Sequence, residues 1–310
     1  MEIIHGYERV TEWKHYTGAS VAMARKDGKM FTIRKYRTPV MPPNNGALEE
    51  KTYNLSLEKF QTFVNHKSSF NQLLRKAAEY GKLVVAVEEF VEGCYYMEVW
   101  EIIDGVVPNA DVEGTIARLT FQEKRFLMVT MASALGYLHM LGLVHGNLTL
   151  ESFLLIKMIG GLYSTKLARF EDCYHKENPP ECLLGDIRYF APEVMVYNNE
   201  EGDKERLKHT LTRKADIFSL GLVFHYFLTG EFPEAIGLTE RLQQRKAEGK
   251  PVYCWSVLLN GGDLKVRDDI PTRYKLIIED MLRKDPLKRP DALGVMTLLK
   301  FEDVGGTKNS

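Results

Sequence analysis

The sequence predicts an α+β protein with two lobes: a β-rich N-terminal lobe with one main helix, and a larger helical C-terminal lobe. Strand-like runs flank Asp27-Gly28 and again Glu92-Gly93, and such pairs are typical of tight hairpins. After Asp104-Gly105 the strand pattern gives way to apolar residues at helical spacing. We therefore predict lobes at residues 1–103 and 104–305, followed by a short tail at 306–310.

The main helix of the first lobe is predicted between the two hairpins. Residues 40–54 contain Pro, Gly and Asn, which indicates a loop. Ser56 can cap a helix that follows this loop. Apolar residues then recur at roughly helical spacing: Leu57, Phe60, Val64, Leu74 and Ala77.

Four segments are predicted to form helices of the second lobe. Residues 120–123 read Thr-Phe-Gln-Glu, a capping box that opens a helix reaching about His139. Residues 214–230 are apolar on nearly all sides and end at Gly230, which indicates a buried helix with a glycine cap. Residues 274–286 and 292–301 supply two more helices.

Composition excludes several classes of protein. The net charge of −1 over 310 residues gives no bulk attraction to nucleic acid or to an anionic membrane. The four cysteines lack paired metal-type spacing, so we expect reduced thiols and neither a disulfide framework nor a metal site. No apolar run reaches about 18 residues, and the N-terminus has no signal-peptide pattern. A cytoplasmic or nuclear location is expected.

Five short strings then appear in a fixed order along the chain. They are LVHGNLTLESFLL (143–155), KLARFED (166–172), YFAPEV (189–194), KADIFSLG (214–221) and RKDPLKRP (283–290). In this order they resemble the motifs of the protein kinase family over nearly the whole chain. The resemblance implies a kinase-like fold. It also implies a buried Glu193–Arg289 ion pair and an Asp216 carboxylate that accepts backbone N–H bonds from the 145–152 loop.

The same resemblance shows which chemical groups differ in the C-terminal lobe. The position of the family's catalytic base holds Asn147, and an amide cannot take up a proton. Gly146 stands where the family has arginine. The two metal-binding positions hold Ser152 and Arg169, and a guanidinium offers no oxygen to magnesium. Glu171 replaces the glycine that follows Phe170.

The remaining positions in and near the loop have quieter interpretations. His145 and Phe170 are interpreted as core residues, and Asn147 as an amide that braces the loop. Arg169 is interpreted as the partner of a nearby carboxylate such as Glu171, with a ligand phosphate as the alternative.

The N-terminal lobe differs as well. The family's strand lysine aligns with Arg34, with Lys35 as the alternative one residue along; strand alternation favours Arg34. The helix carboxylate that would pair with it aligns with Gln72. Only Gly18 remains of the glycine-rich phosphate loop, and Trp100 is placed where it narrows the base pocket. The implied nucleotide pocket comprises Gly18, Val21, Thr32, Arg34, Trp100, Leu154 and Arg169.

Two expectations concern the segment from Arg169 to Glu193. It has no Ser or Thr, so only Tyr174 and Tyr189 could be phosphorylated, and the arginine that would clamp a phosphate is Gly146. We expect no phosphorylation switch there. A Thr149 hydroxyl bonded to Asp186 is predicted to dock the two loops.

These differences together lead to the interpretation of a pseudokinase, which is not an enzyme and has no bound cofactor. It would act in signalling as a scaffold or allosteric regulator of a protein partner, with an active kinase as one candidate and no nucleic acid or membrane as partner. ATP with magnesium is expected to bind weakly or not at all. Two alternatives stay open: a nucleotide sensor that needs no metal, with Arg169 in place of the cation, and an unorthodox phosphotransferase with Glu171 or Asp172 as its carboxylate.

Overall fold

The computed structural model of the chain describes residues 2–16 and 18–300. The predicted tail at 306–310 lies outside the described residues. The chain divides into two compact units, the first ending at Asp104 and the second beginning at Gly105.

The first unit is built on one antiparallel sheet. Its seven strands are β1 (Ile3–Ile4), β2 (Tyr7–Arg9), β3 (Lys14–His15), β4 (Ala19–Lys26), β5 (Lys29–Tyr36), β6 (Glu88–Glu92) and β7 (Tyr95–Glu101). They lie in the order β1-β2-β4-β5-β7-β6, and β3 also pairs with β4. Both predicted hairpins are present. At the first, Asp27 and Gly28 take φ values of 51° and 75°, which the tight turn requires.

The helix of this unit, α1 (Glu50–Ala78), begins earlier than predicted. Ser56 is not its cap but lies inside it. Residues 47–78 contain no Gly or Pro, and Glu49 and Glu50 favour a helix N-terminus electrostatically, so the helix extends into the segment interpreted as a loop. Phe60, Leu74 and Ala77 are buried, as their spacing indicated.

Side-chain alternation gives the sheet two different faces. One face carries an apolar cluster that includes Ile33, Met97 and Val99. On the other face the rings of Tyr36 and Tyr96 contact Phe63 of α1 at centroid distances of 5.5 and 5.6 Å. Because neighbouring residues of a strand point to opposite faces, this contact assigns every residue of β5 and β7 to one side.

The second unit is mainly helical. Its helices are α2 (Asn109–Arg118), α3 (Phe121–Met140), α4 (Pro192–Asn198), α5 (Lys204–Leu207), α6 (Lys214–Thr229), α7 (Glu240–Ala247), α8 (Cys254–Leu259), α9 (Thr272–Met281) and α10 (Ala292–Lys300). Its short strands form three antiparallel pairs. They are β8 (Leu143–Val144), β9 (Phe153–Lys157), β10 (Tyr163–Leu167), β11 (Tyr174–His175), β12 (Glu234–Ile236) and β13 (Asp263–Lys265).

Helix ends in this unit follow the sequence closely. Thr120 and Glu123 form the predicted capping box of α3. Helix α6 is buried along most of its length and ends at Gly230, which has φ 78°. No helix among residues 2–16 and 18–300 is long and apolar enough to cross a bilayer.

Candidate functional site

The loop from His145 to Ser152 is anchored by Asp216 at the start of α6. The Asp216 carboxylate accepts the backbone N–H groups of His145 and Gly146 at 2.7 and 3.0 Å, and the ring of His139 at 2.9 Å. Burial alone would raise the pKa of Asp216, but the hydrogen bond and charge of His139 outweigh it and lower the pKa. The carboxylate is therefore ionised, and the expected backbone bonds from the loop are present.

A second anchor is the buried ion pair between α4 and the turn before α10. Arg289 donates to both carboxylate oxygens of Glu193, at 2.6 and 2.9 Å. Its remaining donors reach the backbone oxygens of Arg283, Lys284 and Lys214. These bonds use all five N–H donors of the buried guanidinium, so the ion pair holds the end of the 169–193 segment in one place.

Asn147 joins its loop to the 169–193 segment on two sides. Its side-chain N–H donates to Asp172 Oδ2 at 2.8 Å, and its side-chain oxygen accepts the backbone N–H of Asp186 at 3.1 Å. Gly185 leaves room for this contact, because a Cβ there would lie 2.5 Å from the Asn147 amide. The amide braces the loop, and it brings a carboxylate, Asp172, within one hydrogen bond of position 147.

The predicted bond between Thr149 and Asp186 is wrong. The Thr149 hydroxyl lies 3.3 Å from Ser152 Oγ, while Arg188 pairs with the Asp186 carboxylate at 2.5 Å. An arginine two residues away satisfies that carboxylate better than a neutral hydroxyl can. Asn147 makes the contact between the two loops that we assigned to Thr149.

Ser152 and Arg169 occupy the two positions of the family's metal ligands. Ser152 is buried, donates to the Asn147 backbone oxygen at 3.2 Å and accepts the Thr149 N–H at 3.0 Å. Arg169 has φ 65° and pairs with Glu151 at 2.6 Å, not with Glu171 as suggested. Glu171 itself is exposed. Within the described chain, His, Cys, Asp and Glu side chains form no group that could hold a metal ion.

His145 and Phe170 are core residues. His145 is fully buried, its Nε2–H donates to Ala168 O at 3.0 Å, and its ring lies 5.6 Å from that of Phe170. Burial lowers the pKa of His145. A neutral imidazole that already donates to a backbone oxygen is a structural residue here.

Gly146 and Tyr174 share one space. Gly146 has φ 78°, and a Cβ on it would lie 2.7 Å from the Asp172 backbone oxygen and 3.1 Å from the Tyr174 ring. The Tyr174 ring therefore packs where a side chain at position 146 would begin. The Tyr174 hydroxyl is buried and has no hydrogen-bond partner, and burial raises its pKa. Burial likewise raises the pKa of Tyr189 to about 12.

In the first unit, the register of β5 separates Arg34 from Lys35. Arg34 lies on the same sheet face as Tyr36, the face that α1 covers, and stands opposite Glu98 in the register of β5 and β7. Lys35 lies on the opposite face, with its ammonium 4.2 Å from the Trp13 ring and 5.1 Å from the Tyr95 ring. Of the two, Arg34 is the residue that faces the helix.

The helix residue that meets this face is Asn71, not Gln72. Asn71 donates to Glu98 at 3.0 Å and to the Tyr96 hydroxyl at 3.2 Å, whereas Gln72 is exposed. One residue turns a helical side chain by about 100°, enough to carry Gln72 away from the sheet. Glu98, a strand residue opposite Arg34, is therefore the carboxylate that the helix meets through Asn71.

The other predicted pocket residues lie in two places. Thr32 and Trp100 are direct neighbours across β5 and β7, and Val21 lies opposite Arg34. Gly18, with φ 78°, precedes β4. Leu154 lies on β9 in the second unit, opposite Lys166, and Arg169 follows the neighbouring strand β10.

Sequence reasoning missed three residues of this arrangement: Asp172 as a partner of Asn147, Glu151 as a partner of Arg169, and Glu98. One signal was available, because Glu98 interrupts the apolar run YYMEVW. A charge inside a buried strand indicates a polar partner. The other two depend on loop geometry that spacing does not reveal.

The chain resembles known proteins over most of its length. The residue pattern of the family described as "Protein kinase domain" matches residues 17–299. "Ovarian-specific serine/threonine-protein kinase Lok" of Drosophila melanogaster is 26% identical over 214 residues, which is 67% of this chain and 37% of that protein. "Serine/threonine-protein kinase PknJ" of Mycobacterium tuberculosis is 25% identical over 221 residues, 68% of this chain and 33% of that protein.

These comparisons confirm one expectation and correct another. The two-lobed, kinase-like α+β fold is confirmed. The interpretation that the chain is not an enzyme is wrong, because the similar proteins are named as serine/threonine-protein kinases, and these names point to a kinase enzyme. The matched segment spans about a third of those two relatives.

Proposed function

Because the chain belongs to the protein kinase domain family, we propose that it is an atypical kinase domain of signalling, which transfers phosphate with Asp172 in place of a carboxylate at position 147. The observation that carries this proposal is the 2.8 Å bond between Asn147 and Asp172 Oδ2. The names of the relatives suggest a serine or threonine hydroxyl of a protein as acceptor.

In the proposed step, Asp172 takes the proton of the acceptor hydroxyl. The hydroxyl oxygen forms a bond to the γ-phosphorus of ATP, and the bond from that phosphorus to the β,γ-bridging oxygen breaks, which releases ADP. Asp172 is half-buried, and one of its oxygens is already positioned by Asn147. A positioned general base contributes roughly 10²- to 10⁴-fold to such a reaction.

The family's metal positions argue for slow transfer with little dependence on magnesium. The Ser152 hydroxyl is already hydrogen-bonded within its own loop. Arg169 is positively charged, like a metal ion, and offers no oxygen that could bind one. The Arg169–Glu151 pair is about half exposed, at 46% and 61%, and such pairs contribute only about 0–1 kcal/mol. A phosphate can therefore replace Glu151 at the guanidinium.

Transfer from radiolabelled ATP to arrayed serine and threonine peptides tests the proposal, with magnesium, with manganese and with neither. We expect slow incorporation that falls at least tenfold in Asp172→Asn. Glu177→Gln is the matched control, because Glu177 is an exposed carboxylate of the same 169–193 segment, and it should keep the wild-type rate. Equal rates in wild type and Asp172→Asn would reject Asp172 as the base, and no incorporation under any condition would reject phosphate transfer.

A second candidate function, alongside phosphate transfer, is regulation of a protein partner. It is supported by the two bonds of Asn147 and the Glu193–Arg289 pair, which fix the 169–193 segment at both ends without a phosphate. A segment held in one conformation suits a domain that acts on a partner by shape. A partner co-purified under mild conditions would be assayed with both proteins; an effect retained by Asp172→Asn would assign it to regulation, and an effect lost in that variant would assign it to transfer.

A further inference from the structure

A cavity of about 310 Å³ lies in the second unit. The end of α3, the start of α6 and the turn that leads into α10 line it. Its volume is at the lower end of the range of about 300–1,000 Å³ that is usual for ligand pockets. None of these residues takes part in the proposed transfer of phosphate.

Three large apolar side chains surround this cavity and remain exposed. Met140 is 65% exposed, Leu287 85% and Leu293 44%, and all three line the cavity. Single exposed apolar residues are common, but three around one concave site mark an interaction surface. Because this apolar rim is open, it suits a partner that covers it from outside better than a lipid chain enclosed in a tunnel.

The charged residues of the cavity favour an acidic partner. Arg213 donates to His139 O at 2.6 Å, and Lys214 donates to Arg289 O, so both cations are held by backbone oxygens. Among the described residues, Asp291 is the one acidic residue that lines the cavity, and its Oδ1 accepts the Gly294 N–H at 2.7 Å within the first turn of α10. Two cations against one carboxylate leave a positive balance.

One lining residue connects the cavity to the 145–152 loop. The backbone oxygen of His139 accepts Arg213, and its ring donates to Asp216 at 2.9 Å. Asp216 in turn holds the N–H groups of His145 and Gly146. The cavity is therefore connected to the loop by the side chains of His139 and Asp216, and both are buried.

We propose that this cavity is a docking site for a segment of a partner protein that carries an aliphatic side chain beside a carboxylate. The aliphatic group fills the space between Met140, Leu287 and Leu293, and the carboxylate meets Arg213. Occupation restricts His139 and steadies the Asp216 bonds to the loop. The site does not depend on Asp172 or on phosphate transfer.

A phage library of random 12-residue peptides tests the occupant. Binders are selected on the wild-type protein and then measured, as synthetic peptides, on Leu287→Asp, Met140→Asp and Arg213→Gln. We expect selected peptides to pair Asp or Glu with Leu, Ile or Met, and to lose at least tenfold in affinity on each variant. Leu276→Asp is the matched control, because Leu276 is a 56% exposed leucine on α9 and should leave affinity unchanged.

Three results would overturn the proposal. Peptides that bind all variants equally would show that the cavity is not the site, and so would failure to select any binder. Pocket-dependent peptides without acidic residues would reject the assigned chemistry. Hydrogen exchange tests the connection: a selected peptide should slow exchange of the His145 and Gly146 amides in wild type but not in Leu287→Asp, and unchanged exchange in wild type would reject it.

Discussion

Arg289 and Glu193 are 96 residues apart and form a two-bond ion pair, with both side chains almost fully removed from solvent. Removing one partner leaves a buried charge without compensation, which costs roughly 3–5 kcal/mol. We expect Glu193→Gln to lose about that much unfolding free energy in urea denaturation. Arg283→Ala, which breaks the exposed pair with Asp280, is the matched control and should lose under about 1 kcal/mol. Equal losses would mean that burial does not govern the pair.

A second prediction concerns the Asn147–Asp172 bond. Asn147→Asp replaces an attraction by two carboxylates about 3 Å apart, and the pKa of one of them must rise. A pKa raised by folding means that stability is present at low pH and lost as pH increases through that pKa. We therefore expect this variant to lose stability, relative to wild type, as pH is raised from 4 to 8. Thermal unfolding checks this, with Asn147→Ala as the uncharged control; parallel profiles of the two variants would contradict it.

The Tyr174 hydroxyl gives a third prediction. It is buried without a hydrogen-bond partner, so Tyr174→Phe should be neutral or more stable by about 1 kcal/mol. The matched control is Tyr197→Phe, because Tyr197 is equally buried but donates to Pro180 O at 2.9 Å. Loss of that bond should cost about 1 kcal/mol in chemical denaturation. A destabilised Tyr174→Phe would show that the hydroxyl has a partner in solution.

His225 supplies a pH-dependent contribution of opposite sign. Burial lowers its pKa, and the ring is held neutral because Nδ1–H donates to Glu231 O at 2.7 Å while Nε2 accepts the Arg267 N–H at 3.3 Å. The unfolded chain then binds more protons below pH ~6.5, so stability is present above that pH and falls on acidification. His225→Asn should flatten this fall in melting temperature between pH 7 and 5. His209→Gln, at an exposed histidine, should leave the slope unchanged, and a His225→Asn slope equal to wild type would contradict the prediction.

Nucleotide binding gives the last prediction. ATP should bind weakly, and its effect on melting temperature should be the same with and without magnesium, because Arg169 stands at a metal position. A ligand at 100 times its dissociation constant stabilises the fold by about 2.7 kcal/mol, which is a shift of a few degrees. The shift should vanish in Arg169→Ala and persist in Arg188→Ala, a second exposed arginine paired with a carboxylate. A shift that requires magnesium would contradict the assignment.

The sequence predicted those parts of the fold that depend on local chemistry. The hairpin at Asp27-Gly28, the capping box at Thr120 and the cap at Gly230 are each set by residues adjacent in the chain. The start of α1 was not predicted correctly. Ser56 is a good cap in isolation, and the Pro and Gly residues nearby indicated a loop, despite the helix-forming residues just before Ser56.

At the candidate site, the sequence shows which residue types are present, but it does not show which side chains are hydrogen-bonded to each other. The substitution of Asn147 is plain in the sequence, yet its bond to Asp172 spans 25 residues and depends on how a loop turns. The predicted pair of Thr149 and Asp186 also depended on how the loops turn. The Asp186 carboxylate pairs with Arg188 instead. Gln72 was assigned in place of Asn71 because the alignment was off by one residue, which turns a helical side chain by about 100°.

The shared space of Gly146 and Tyr174 constrains how this domain can change by mutation. An arginine introduced at position 146 would meet a backbone oxygen and an aromatic ring and would have to adopt a positive φ, so that single substitution should be disfavoured. A smaller residue at 174 would remove only the contact with the ring and not that with the Asp172 oxygen, and it would leave a cavity beside the loop. Restoring the family's arginine therefore requires a destabilised intermediate. The glycine at position 146 is thus difficult to replace by single mutations.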